Sequence, residues 1–517
     1  MNRRDFLAGT TALLGGIALG KKPSLPTAQT GRIASGRVIN TKTGRGIPNV
    51  RVSNGLSVVK TDSEGRYQIS LNDDTVIHVV KPRGFKTPVT ANQIPQFFYI
   101  HKPNGSPASR YEGVKPTGAI PESIDFHLTP QAEPDRFKVV MFGDPQPRNQ
   151  TEIDYMSHDV IEQVIRDASE NECKFGISLG DIMFDKLEFY DPLNQSISHI
   201  GLPWYNVLGN HDLNFDSPDD DLSTETWQRI YGPRYYSFDY GPVHFVILDD
   251  VRYNGQATGG YIGELNYQQL TWLRNDLKHV PKDQLVVFCL HIPLFSLENR
   301  QEFFDIIKDH EHTFSLSAHT HLQRHDWFGE KEGFFGSKPH HHLNHATVCG
   351  CWWGGAPDER GIPHATMSDG GPNGYSIVEF HRTSYKVTFR AASRPFNEQM
   401  SVFMPEEITS AESQNAEVII NVWAGSTKST VEARINQGNW MSVPNVPGLD
   451  PYIQKIKELE ASATKPPGRG VAGPSATPHL WKFNLPASLP AGTHRIEVRT
   501  RDMWGQEYTD MRTFRVQ

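Results

Sequence analysis

Four short segments of this chain end in residues that bind divalent cations: Gly143-Asp144-Pro145-Gln146, Gly180-Asp181, Gly209-Asn210-His211-Asp212 and Ala318-His319-Thr320-His321. His291 falls between the third and the fourth. Carboxylate, amide and imidazole donors together suit a pair of cations. Two such ions about 3.5–4 Å apart can clamp both the attacking and the leaving oxygen of a displacement at phosphorus. Hydrolysis of a phosphate ester is the chemistry this set would serve. A plainer reading keeps Asp181 as a helix cap after a strand and the histidines as a satisfied core pair.

Nearly every one of these segments follows an apolar run. Phe137 to Phe142, Phe175 to Leu179, Tyr205 to Leu208, His244 to Leu248, Leu285 to Leu290 and Thr313 to Leu316 read as buried strands. Ile153, Met156, Val160, Ile161, Val164, Ile165 and Ala168 recur at helical spacing, and further helices are expected at 266–280 and 298–310. The central fold class is therefore α/β, with sheets covered by helices and the ligand residues just past the strand ends, where such folds place ligands.

On either side the texture is all-β. Short β runs separated by turn residues, among them Thr61-Asp62-Ser63-Glu64-Gly65, predict a small sandwich over residues 29–130. Thr129 to Asp135 reads as a linker. The α/β domain is expected over 134–397 and a second sandwich over 398–517, with strands at 417–422, 430–435, 481–483, 495–499 and 512–516. The Pro/Gly-rich stretch from Thr464 to Pro478 is expected to be a mobile surface loop.

The 517 residues carry a net charge of −8, which argues against a nucleic-acid-binding surface. A phosphorylated partner stays compatible with that charge, since bound cations reverse the sign locally. Four cysteines are too few for a disulfide framework, and Cys349 and Cys351 are too close in sequence for an unstrained bridge. Arg3-Arg4-Asp5-Phe6-Leu7, a weakly apolar stretch to Leu19 and Lys21-Lys22 resemble a twin-arginine export signal over residues 1–28. The run is too short to span a membrane, and the expected location is periplasmic or extracellular.

Over roughly Phe137 to Arg390, the Gly-Asn-His-Asp and His-x-His motifs at separate strand ends resemble the calcineurin-like metallophosphoesterases. The order of β module, phosphoesterase and β module resembles an exported bacterial subgroup of that family. The resemblance implies a first divalent ion on Asp144, Gln146, Asp181 and His321, and a second on Asp181, Asn210, His291 and His319, with Asp181 bridging. It implies a metal-bound hydroxide as nucleophile and His211 as proton donor to the leaving oxygen, with Asp212 orienting it. The substrate class would be a small phosphodiester or phosphomonoester. The family usually has Asp-x-His in its first motif, where this chain has Gln146. An amide oxygen is a weaker, harder donor than imidazole, so among Mn, Mg, Fe and Zn the site is expected to favour Mn or Mg. The same departure supports the alternative of a non-catalytic surface protein with a decayed core.

Further substrate contacts are expected from Arg148, close behind the first motif, and from Pro339-His340-His341-His342-Leu343-Asn344-His345 and Cys349-Gly350-Cys351-Trp352-Trp353. In strand geometry His340, His342 and Asn344 share one face. Either that face and Trp352 or Trp353 line the cleft, or the histidines are a buried polar strand and the tryptophans core.

Overall fold

The structure is a computed structural model that describes residues 32–487 and 489–517. The expected signal segment lies outside the described residues. No described helix is long and apolar enough to cross a membrane.

The strands from Arg32 to Pro130 form two four-stranded sheets. In Arg66–Leu71 exposed and buried residues alternate, the pattern of a strand with one face on a core. Asp62 Oδ1 closes the preceding turn by accepting from the backbone N–H of Glu64 and Arg66. The connection to the central region is not slack. The buried Glu133 carboxylate takes Lys81 Nζ at 2.6 Å and the N–H groups of Gly84 and Gly241 at 3.0 and 2.9 Å.

Two sheets face each other in the central region. One runs Trp204–Asn206, Gly176–Ser178, Arg136–Phe142, Gly374–His381, Ser384–Ala391, its first three strands parallel and the last two an antiparallel hairpin. The other runs Tyr236–Tyr240, Val243–Ile247, Leu285–Cys289, His312–Ser317, His340–Asn344, Arg324–Phe328, parallel through its four inner strands. Val243–Ile247 and Leu285–Cys289 are buried throughout, which explains their apolar sequence, broken only by His244. Between the sheets Phe137, Phe175, Phe238, Phe245 and Phe380 pack into one core. Helical turns spanning 150–170 cover one outer face, with a π segment at Ser157–Ile161 in the middle. Tyr267–Leu277 and Arg300–Ile307 cover the other.

Beyond Met400 a three-stranded and a five-stranded sheet enclose a separate apolar core. The helix Pro451–Ser462, unexpected in an all-β region, is inserted there. Asp450 caps it by accepting from Tyr452 and Ile453 N–H, and Pro451 occupies its first turn. The stretch that follows is tied down rather than loose. Val471 N–H donates to Glu460 Oε1 at 2.9 Å, Lys457 Nζ to Val471 O at 2.9 Å, and Ser475 N–H to Ser368 O at 2.8 Å.

Candidate metal centre

Asp144, Asp181, Asn210, His291 and His319 each follow a central strand by no more than four residues, so parallel pairing carries all five to the same edge of the two sheets. The chain turns sharply at each motif. Asp144, Gln146, Asp181, His319 and His321 all have positive φ, between +33° and +67°. Non-glycine residues adopt such angles at a cost and keep them only where the surroundings leave no alternative. Gly209 is needed for closeness: a Cβ there would stand 2.0 Å from the backbone nitrogen of Asp181.

Asp181 is the hub. Its Oδ1 accepts from His211 N–H at 2.8 Å, and its Oδ2 faces Gln146 Nε2 at 2.8 Å and His291 Nε2 at 3.3 Å. His291 Nδ1 lies 2.9 Å from Leu179 O and donates to it, which turns Nε2 toward Asn210 Oδ1 at 3.0 Å and His319 Nδ1 at 3.2 Å. His321 is held the same way, Nδ1 on Gly350 O and Nε2 3.2 Å from Asp144 Oδ2. That Asp144 oxygen is buried and accepts no hydrogen bond. One atom each of Asp181, His291 and His319 lies within 4.8 Å of the others.

The electrostatics are those of crowded ligands. Burial pushes the Asp144 carboxyl up to about 7. Burial would lower the His291 ring, but Asp181 outweighs it and lifts the ring to about 10. Burial, with repulsion from His291, drives His319 down to about 3. Asp181 is held below the usual carboxylate range: burial opposes this, and His291 and His211 overcome it. Paired carboxylates, facing imidazole nitrogens and an orphaned carboxylate oxygen form a donor set that fits divalent cations.

Three family models match successive stretches of the sequence. "N terminal of Calcineurin-like phosphoesterase" matches residues 33–113, "Calcineurin-like phosphoesterase" residues 137–323, and "C terminal of Calcineurin-like phosphoesterase" residues 342–508. The chain belongs to the calcineurin-like phosphoesterase family. It is thus a hydrolase of phosphoric esters that depends on divalent metal ions, as the sequence motifs led us to expect. No curated protein sequence matches it. Among solved structures, one similar chain is a purple acid phosphatase from yellow lupin (Lupinus luteus) seeds. It is 13% identical, with 70% of this chain and 71% of that chain covered at a TM-score of 0.37. So distant a likeness carries no argument about activity.

Within this phosphoesterase, several expected roles change. Asp212 does not orient His211. Its carboxylate is consumed by the N–H groups of Ile182, Met183 and Gly209 and by the Tyr190 hydroxyl, at 2.9–3.2 Å. The partner of His211 Nδ1 is Asp185 Oδ1 at 2.7 Å, with Phe184 stacked on the ring at 4.2 Å. His340 and His342 do not line a cleft. Both are fully buried, in a polar seam with the hydroxyls of Thr313, Ser315 and Ser317. Phe303, Phe304 and Phe334 cover His340. Trp353 is buried in the helix-covered core beside Tyr155. Arg148 is engaged by Glu152, Nε to Oε1 at 2.7 Å. Trp352 does reach the centre, its ring tilted on that of His321 with centroids 4.7 Å apart.

Two acidic residues were missed. Asp185 lies in a loop without periodicity. Asp250 follows the strand Val243–Ile247, the same position as the candidate ligands, and that placement was the available signal. Its carboxylate accepts from His291 and Ile292 N–H and is pushed up to about 7 by burial. It positions the His291 backbone.

Proposed function

We propose that Asp144, Gln146, Asp181 and His321 hold one divalent cation and that Asp181, Asn210, His291 and His319 hold a second. The observation that carries this reading is Asp181. Its two oxygens face different partners at the point where motifs from both sheets meet, as a bridging carboxylate requires. When bound, the cations supply a nucleophile at neutral pH and neutralise charge on the phosphoryl oxygens. Gln146 takes part through its amide oxygen, which a half-turn of the carboxamide brings to where Nε2 now faces Asp181.

His211 carries the proton to the leaving oxygen. Asp185 fixes its ring and favours the protonated form, and Phe184 closes one face of it. The substrate is a small phosphodiester or phosphomonoester. The Arg3-Arg4 segment supports export by the twin-arginine route, so the reaction takes place outside the cytoplasm.

Hydrolysis of bis-p-nitrophenyl phosphate and p-nitrophenyl phosphate across Mg, Mn, Zn and Fe, with a chelator control, tests the reading. Turnover that the chelator abolishes and Mn or Mg restores is expected. No turnover with any metal would instead favour a non-catalytic binding protein.

A further inference from the structure

Trp352 joins the metal centre to the C-terminal region. Its ring tilts on His321 and meets Phe184 edge-on, centroids 5.4 Å apart. Above the same indole stands the guanidinium of Arg469, 4.7 Å from the ring centroid. Arg469 belongs to the Pro/Gly-rich stretch after the helix Pro451–Ser462.

The placement is built. Gly355 N–H donates to Arg469 O at 2.6 Å, and Glu460 and Lys457 hold Val471, two residues on, by both its N–H and its carbonyl. The two loops touch so closely that a Cβ on Gly354 would lie 2.8 Å from Gly470 O. Trp352 itself has φ +60°, a costly angle for an aromatic residue, and this packing holds it there.

The arginine so positioned is unspent. Among the described residues no carboxylate lies within ion-pairing distance of Arg469, whereas Arg148, close behind the first motif, is engaged by Glu152. A guanidinium stacked on an indole loses little further freedom when it pairs with a planar anion or a phosphate.

We infer that Arg469 is a specificity-determining residue. It receives a second anionic group of the substrate, one step beyond the scissile phosphate, with Trp352 as the platform that holds the guanidinium in place. The preferred substrate is then a phosphate ester bearing a carboxylate or a further phosphate. This rests on the phosphoesterase reading of the same site and names the substrate class within it.

The test uses the full-length, metal-loaded enzyme and two competitors of bis-p-nitrophenyl phosphate hydrolysis. These are 3-phosphoglycerate and glycerol 3-phosphate, which differ in a carboxylate against a hydroxymethyl group. Binding of each is also measured by titration calorimetry. The wild type is expected to bind 3-phosphoglycerate about tenfold more tightly, equivalent to one charge-assisted pair. Arg469→Gln should bring the two affinities together, and Arg469→Lys should keep part of the difference. Equal affinities in the wild type, or a difference that survives in Arg469→Gln, would overturn the assignment. Absence of wild-type hydrolysis with calorimetric discrimination intact would overturn the catalytic reading and leave the anion site standing.

Discussion

Nδ1 of His211 lies 2.7 Å from Oδ1 of Asp185, while the carboxylate of the adjacent Asp212 turns into the backbone of the neighbouring motif. The two aspartates therefore do different work. Asp185 acts on the ring and Asp212 ties together the loops that carry Asp181 and Asn210. Asp185→Asn is expected to lower kcat about tenfold or more with metal content unchanged, as losing the partner of a ring typically does. Asp212→Ala is expected to lower thermal stability and metal occupancy together. An Asp185→Asn enzyme with wild-type kcat would detach this pair from the reaction.

His211 touches Asp181 through its backbone, while its side chain pairs with Asp185. Its ring can thus be removed without removing a ligand. His211→Ala should reduce kcat by roughly 10²–10⁴-fold, the usual worth of general acid catalysis, and leave two ions per chain by elemental analysis. Unchanged turnover would take His211 out of the mechanism.

The legible part of this centre was the part that repeats. Each candidate ligand motif abuts an apolar strand, so type and position were visible together for Asp144, Asp181, Asn210, His291 and His319. Asp185 and Arg469 stand in irregular loops, where no period announces a side chain's direction. For His340 and His342 the alternation was right but the covering layer was not. It puts them on one face and says nothing of the helix Arg300–Ile307 that buries that face. The answering row of hydroxyls in Thr313, Ser315 and Ser317 was the overlooked signal. The helix Pro451–Ser462 carries its own cap and first-turn proline, hidden beside a Pro/Gly-rich stretch that reads as loop.

Metal retention should separate the two ligand groups. Asp181 faces donors of both sets, so Asp181→Asn is expected to lose both ions on dialysis. Gln146 belongs to one set only, so Gln146→Ala should lose one. Gln146→His supplies a stronger donor for Zn or Fe and should raise retention of either. Two tightly held zinc or iron ions in the wild type after dialysis would contradict the preference for Mn or Mg.

Acid should destabilise the fold through buried neutral imidazoles. Burial drives His340 and His325 down to about 3, and His341 and His342 well below the ordinary histidine value. Between those values and the unfolded value near 6.5, the unfolded chain binds more protons than the native one. Stability is therefore complete above about pH 6.5 and falls as pH drops, by up to about 1.4 kcal/mol per ring for each pH unit. His244 works in the opposite sense. Burial would lower it, but Asp276 and Asp239 raise it, so its contribution is present below 6.5 and is lost as pH rises through its folded value. Among the groups away from the metal centre the depressed rings, with His78 and His345 also lowered to about 4, outnumber it. Urea midpoints measured from pH 7.5 to 5.0 are expected to fall steadily, and a flat profile would rule out this account.

The N-terminal sheets are joined to the catalytic region by buried charge. Arg51 Nη2 meets Asp239 Oδ2 at 2.7 Å and its Nη1 meets Asp276 Oδ1 at 3.2 Å. The ring of His244 spans the same two carboxylates at 2.7 and 2.9 Å. Desolvating such a group costs several kcal/mol per ion, and mutual attraction offsets this only while every member is present. Removing one partner leaves a buried carboxylate uncompensated, which typically costs about 3–5 kcal/mol. Arg51→Ala is thus expected to lower stability by that amount. The metal ligands touch none of these residues, so kcat of the folded fraction should be close to wild type. A loss below about 1 kcal/mol would show that the network is solvated and that apolar packing alone joins the sheets.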